Sequence, residues 1–201
     1  MSIVEIEQHH KSRQRIREQG EVFTQRREVD AILDLMPDAF EEIDTRFLEP
    51  SAGNGNFLVA ILERKIALIS EAKHGHSRNW YQYSLIRCLA SIYSVDIDEE
   101  NVLEARKRLT HLLLQAVNRS GQKLHSKFRK SIAAILSSNI VWGNALEDAE
   151  GIRFIRYEAC GEEKFELFEE YLVSPPMDLF STGPLNLGKK HFSSLGEVRK
   201  L

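Results

Sequence analysis

Apolar residues recur along this chain with two different spacings. Val29, Ile32, Leu33 and Met36 share one helical face that ends at Pro37. Arg46-Phe47-Leu48 is a short apolar strand running into Glu49-Pro50. Phe57, Leu58, Ile61, Leu62, Ile66 and Ile69 form a second helical stripe, with Asn56 placed to cap it. A third helix holds Leu85, Ile86, Leu89 and Ala90. Ser91 to Ile97 is β-branched and aromatic and reads as a strand. Val102, Ala105, Leu109, Leu112, Leu113 and Ala116 stripe the following helix, which opens on Glu99-Glu100 and ends at Asn118 to Gly121. Asn139 to Trp142 is a last short strand, closed by Gly143. Strands alternating with helices predict an α/β domain with a parallel sheet and helices on both faces.

Regularity fades after Leu146. Lys164 to Glu170 reads as an acidic helix, with Tyr171-Leu172-Val173 as a short strand behind it. The expected organisation is a helical arm over residues 1–19, one domain over 20–177 and a mobile tail over 178–201. A chain of 201 residues suits one domain with a substantial core. No apolar run reaches a membrane span and no secretory leader opens the chain, so the expected compartment is the cytoplasm. Cys88 and Cys160 lack metal-ligand spacing and are expected to be reduced. His9-His10 and His74-Gly75-His76 lack partner ligands, so no metal site is expected. Trp80, Tyr81 and Tyr83 read as packing residues.

The net charge of −3 does not mark a nucleic-acid binder, but its distribution is uneven. Residues 106–130 carry eight Lys/Arg and no acid, whereas residues 147–170 carry nine Asp/Glu against three Lys/Arg. A solvated helix face explains this as well as a phosphate-facing surface does.

The chemistry concentrates at strand ends. Gly53-Asn54-Gly55 follows the first strand and opens a helix. Its glycines permit a sharp bend and a close ligand approach. The turn lacks the third glycine of a dinucleotide fingerprint and the Gly-Lys-Ser/Thr of a phosphate loop. An acid, Glu49, ends the strand instead, which suits a ligand bearing an amine or a sulfonium. S-adenosylmethionine (SAM) has both. Asp96 ends the second strand, where a carboxylate accepts hydrogen bonds from a ribose diol, and Ile97 is placed to lie on a purine face. Asp96 and Asp98 also fit as caps of the helix from Glu99. Asn144, in Gly143-Asn144-Ala145-Leu146, offers an amide to an adenine edge, although the segment also reads as a plain turn.

Between about Gly20 and Leu146 the chain resembles the N-terminal part of the adenine-specific DNA methyltransferases of restriction–modification systems. Gly20-Glu21-Val22-Phe23-Thr24 resembles the family's first motif, with Gln25 in place of its proline. Leu48 to Leu58 is similar to its main SAM motif, and Tyr93 to Asp98 to its ribose-binding motif, continued by Val102 to Leu109. Ile140 to Leu146 resembles the segment that usually reads Gly-Asp-Ala-Leu, with Asn144 for the acid. The resemblance implies a Rossmann-like SAM-dependent methyltransferase fold, incomplete at its C-terminus. It implies SAM contacts at Phe23, Thr24, Glu49, Ser51, Ala52, Gly53, Asn54, Gly55, Phe57, Asp96, Ile97, Asn144 and Ala145. The family's catalytic Asn/Asp/Ser-Pro-Pro-aromatic motif has one weak counterpart, Ser174-Pro175-Pro176, followed by Met177 instead of an aromatic. That stretch also reads as an ordinary turn. The expected function is therefore a SAM-binding subunit or fragment of a DNA adenine N6-methyltransferase, with a partner polypeptide supplying the catalytic motif and DNA recognition. Its rivals are a self-sufficient methyltransferase working through Ser174-Pro175-Pro176 and a non-catalytic scaffold in a restriction or phage-defence complex.

Overall fold

The computed structural model describes residues 24–69, 78–173 and 184–197. The expected arm over residues 1–19, Phe23, His74, His76 and Ser174-Pro175-Pro176 lie outside them. Helix α1 (Arg26–Leu33) leads to strand β1 (Phe47–Glu49), then to helices α2 (Asn56–Leu68) and α3 (Arg78–Ala90). Strand β2 (Ile92–Asp96) is followed by α4 (Glu99–Arg119), α5 (Phe128–Asn139) and β3 (Ile140–Trp142). These three strands form a parallel sheet in the order β1-β2-β3, with Leu48 opposite Tyr93 and Asp96 opposite Trp142. The chain is thus α/β, and its sheet is parallel because helical crossovers separate the strands.

Capping explains several boundaries. The Gln25 N–H donates to the Glu28 carboxylate at 3.1 Å, and Gln25 caps α1. The Glu100 N–H donates to Asp98 at 2.8 Å and starts α4, with Glu99 and Glu100 at its positive end. Asp98 is therefore the cap, and Asp96 accepts in turn from the Asp98 N–H at 2.9 Å.

The strand alternation of β2 is written into two clusters. Ile92 joins the helix-lined core with Leu58, Leu89, Leu109 and Ile132. Tyr93 and Val95 pack with Ile152 and Phe154. Where the sequence places helices on both faces, the face of β2 that carries Tyr93 and Val95 rests on this strand-forming segment.

The segment belongs to an antiparallel sheet of β4 (Arg153–Ala159), β5 (Lys164–Tyr171) and β6 (Asn186–His191), followed by a 3-10 turn, Phe192–Glu197. Three expectations give way here. Lys164 to Glu170 is a strand because Phe165, Leu167 and Glu169 are buried at every second position. Tyr171 closes that strand rather than beginning another. Residues 184–197, expected within a mobile tail, are anchored by Phe192 and Leu195, both fully buried. Tyr83 ties this sheet to the helices. Its ring meets Phe165 at 5.1 Å and Phe192 at 6.0 Å, and its hydroxyl donates to the Lys164 carbonyl at 3.0 Å. Tyr81 is likewise buried, in keeping with a packing role.

Among the described residues no helix is long and apolar enough to cross a membrane. Cys88 is buried and Cys160 exposed, and neither forms a disulfide.

Lys65 on α2 is wholly buried below β1. Its ammonium donates to the carbonyls of Ile43 at 2.8 Å and Thr45 at 2.6 Å and stands 5.0 Å from the Phe47 ring centre. Burial nevertheless pushes it down to about 8. Below that pH both folded and unfolded chains hold the proton, and the buried charge weighs against folding. Above it only the unfolded chain holds the proton, until 10.5, so stability rises with pH. Burial pushes the Cys88 thiol up from 9.0 to about 12, so above pH 9 the unfolded thiol ionises first and stability falls. Urea unfolding should therefore show wild-type stability rising between pH 8 and 9, with the rise absent in Lys65→Met.

Candidate ligand site at the glycine turn

The turn after β1 is folded by backbone bonds before any ligand is considered. The Ala52 N–H donates to the Val95 carbonyl at 3.1 Å, and the Gly55 N–H donates to the Ala52 carbonyl at 3.0 Å. Gly53 and Gly55 have φ of +51° and +85°, in the left-handed region that favours glycine. Gly55 has a second constraint. A Cβ there would stand 2.9 Å from the Ala105 Cβ, so α2 and α4 approach closely only because both residues are small.

Asp96 gathers the strand end and the turn. One carboxylate oxygen accepts from the Gly53 N–H at 2.7 Å. The other accepts from the Asp98 N–H at 2.9 Å and the Asn101 amide at 3.3 Å. Asp96 is 5% exposed. Glu49 lies at the neighbouring strand end and accepts from the Ser51 N–H at 3.0 Å. Burial raises its carboxyl above the ordinary range, against the Ser51 bond, and the nearby Asp96 charge adds to the rise. Two carboxylates and the turn amides thus share one end of the sheet.

The remaining expected contacts divide. Thr24 is brought to the turn: its carbonyl accepts from the Asn56 side chain at 2.9 Å. Ile97, just beyond Asp96, is 69% exposed, as a platform for a flat apolar group requires. Asn54 has a buried side-chain oxygen without a hydrogen-bond partner, an acceptor left open within the turn. Ser51 is exposed and Ala52 buried beside them. Phe57 instead packs against the core, and Ala145 against the Tyr93 and Val95 cluster. Asn144 turns its side-chain oxygen onto the N–H groups of Leu146 at 3.0 Å and Glu147 at 3.2 Å, so that oxygen caps its own turn.

Two residues without an assigned role from sequence join the site. Arg108 reaches from α4 to the Asn54 carbonyl at 2.6 Å and the Asn56 side chain at 2.9 Å. Trp142, 64% exposed, donates its indole N–H to the Ile97 carbonyl at 2.9 Å. The signal for Arg108 was its position one helical turn from Ala105; Trp142 ends a strand and is large.

Two grooves flank the site rather than lie on it. One of about 250 Å³ runs beside β1, lined by Leu48, Tyr93, Phe154 and Tyr171. The other, about 440 Å³, lies between α2 and α4 at Val59, Glu63, Arg108 and His111. Among the described residues no group of three His, Cys, Asp or Glu is placed to hold a metal. The site offers amides, an open acceptor, two carboxylates and an apolar platform, which are means of binding. No protein-family model, no curated protein and no solved structure matches the chain.

Gly55→Ala should lower stability by about 2–4 kcal/mol, from the left-handed backbone and the Ala105 clash together. Urea denaturation measures this directly; a loss under about 0.5 kcal/mol contradicts the close helix approach.

Proposed function

We propose that the chain is the SAM-binding subunit of a DNA adenine N6-methyltransferase of restriction–modification type, built on a Rossmann-like methyltransferase fold. The observation that carries the reading is the Gly53–Asp96 hydrogen bond, which joins the glycine turn to the acidic end of β2. Ligands of open parallel sheets sit beyond the carboxyl ends of the strands, where this junction lies.

The residues present suit the cofactor. The open Asn54 oxygen and the Glu49 carboxylate are acceptors for its amine, and the glycines allow close approach to the backbone. Asp96 is the acceptor for its ribose hydroxyls and Ile97 the platform for its purine. The Thr24 segment, held at the start of α2, would help to hold the methionine end. When bound, SAM supplies the methyl group; the chain's own part is to hold and orient it. Transfer requires a second polypeptide carrying the catalytic motif and the DNA recognition surface.

A second reading has its own support. The Asp96 carboxylate is already engaged by three donors, and the Asn144 oxygen by two. Polar groups so fully occupied by the fold itself suit a non-catalytic scaffold in a restriction or phage-defence complex.

Calorimetric titration separates the two. The first reading expects saturable SAM binding by the isolated chain, weakened at least about tenfold, or about 1.4 kcal/mol, by Asp96→Ala. A folded chain that gives no SAM binding at millimolar ligand contradicts it.

A further inference from the structure

The basic run that the cofactor reading does not use becomes a surface in three dimensions. Lys123, Lys127, Arg129 and Lys130 precede or open α5, and all are exposed. Lys189 and Lys190 lie on β6, also exposed. The 3-10 turn Phe192–Glu197 binds the two groups together. Gly196 packs so tightly on α5 that a Cβ there would lie 2.7 Å from the Lys130 Cβ. Glu197, next to it, takes Lys127 at 2.9 Å. Its carboxyl is held below the ordinary range by Lys127 first, with Lys190 and Lys130 adding. Cations from a loop, a helix and a strand therefore converge on one carboxylate.

One acid does not balance them. Among the described residues Lys123, Arg129, Lys130, Lys189 and Lys190 form no salt bridge, and the acids nearest the border have other contacts. Glu163 meets His191 at 3.5 Å. Glu166, opposite Lys189 in the β5–β6 register, accepts from Asn186 at 2.8 Å, so Glu197 and Glu166 stand against six lysines and arginines. The first turn of α5 carries no acid of its own, so Arg129 and Lys130 add positive charge to the positive end of the helix. Such like-charge crowding is relieved by an external polyanion.

The character of the patch narrows the partner. Its apolar members Phe128, Phe192 and Leu195 are fully buried, which leaves none of these rings for stacking on unpaired bases and none of these side chains for insertion into a bilayer. What remains is a set of exposed lysine and arginine heads, the chemistry that contacts phosphates along a duplex. We propose that the surface formed by the start of α5, strand β6 and the turn to Glu197 binds the phosphate backbone of duplex nucleic acid without reading its sequence. This surface includes none of the residues of the glycine turn. Helix α4 alone, 21 residues long, carries the chain roughly 30 Å from Glu99 to Arg119, ahead of the basic loop.

The test is fluorescence anisotropy of a labelled DNA duplex of arbitrary sequence with the full chain, across a salt series. Wild type should bind with a log–log salt slope of about −3 to −4, as for roughly four phosphate contacts. The double variant Lys130→Ala/Lys190→Ala keeps the Cβ that packs on Gly196. It should bind about tenfold more weakly and flatten the slope by about two. Glu197→Gln frees three lysines and should tighten binding about threefold; it also serves as the test if the double variant fails to fold. No salt-dependent duplex binding, or superimposable curves for wild type and both variants, overturns the proposal. Preference for a single strand, or binding to phosphatidylserine vesicles without duplex binding, overturns it as well. SAM titration is a separate measurement, so loss of the cofactor reading and loss of this one are distinguishable.

Discussion

The hydrogen bond from the Gly53 amide to the Asp96 carboxylate is the constraint on which the site depends. It spans 43 residues of sequence and fastens the turn after β1 to the end of β2. Asp96 is buried, so the charge-assisted bond forms where water screens it little. The same carboxylate positions the Asp98 amide, and Asp98 in turn caps α4. Removing the carboxyl group would therefore loosen the turn, the strand end and the helix start together.

Around that bond the molecule is arranged in two sheets of different kinds. The parallel sheet brings Glu49, Asp96 and the glycine turn together at its carboxyl end. The antiparallel sheet supports it through Phe154 against Tyr93, with ring centres 5.5 Å apart, and grips the helices through Tyr83 and Phe165. Ion pairs join its first two strands: Arg153 with Glu169, and Arg156 with Glu158 and Glu170. Part of the acidic stretch is thus held in ion pairs, while Lys123, Lys127, Arg129 and Lys130 of the basic stretch remain on the surface.

The first half of the fold was legible because its signals agree. Residues with 3.6 spacing, glycines after a strand and an Asp98-Glu99-Glu100 start all point to the same elements. The site was legible where backbone geometry demands particular residues, at Gly53, Gly55 and Asp96. Asn144 and Ala145 were not, because nothing in a short turn shows whether a side chain caps it, packs inward or faces a ligand. In β5 the alternation of Phe165 and Leu167 was hidden by glutamates, which a helix would hold as readily. Helix α5 carries its stripe at Phe128, Ile132, Ile135, Leu136 and Asn139, yet serines and a basic start disguise it. Phe192 and Leu195 hold the C-terminal turn against a composition of Gly, Ser and Lys that reads as unstructured. Lys65 shows the general limit: a buried ammonium is created by tertiary packing alone.

If the turn and the end of β2 form a SAM pocket, the Gly53 amide must change its surroundings when the cofactor binds. The direct measurement is an amide and indole NMR titration of the folded chain with SAM. The account predicts saturable shifts of Gly53, Gly55, Ile97 and the Trp142 indole, with the β4–β6 residues unmoved. Unchanged spectra at saturating SAM, or shifts confined to the basic surface, would contradict it.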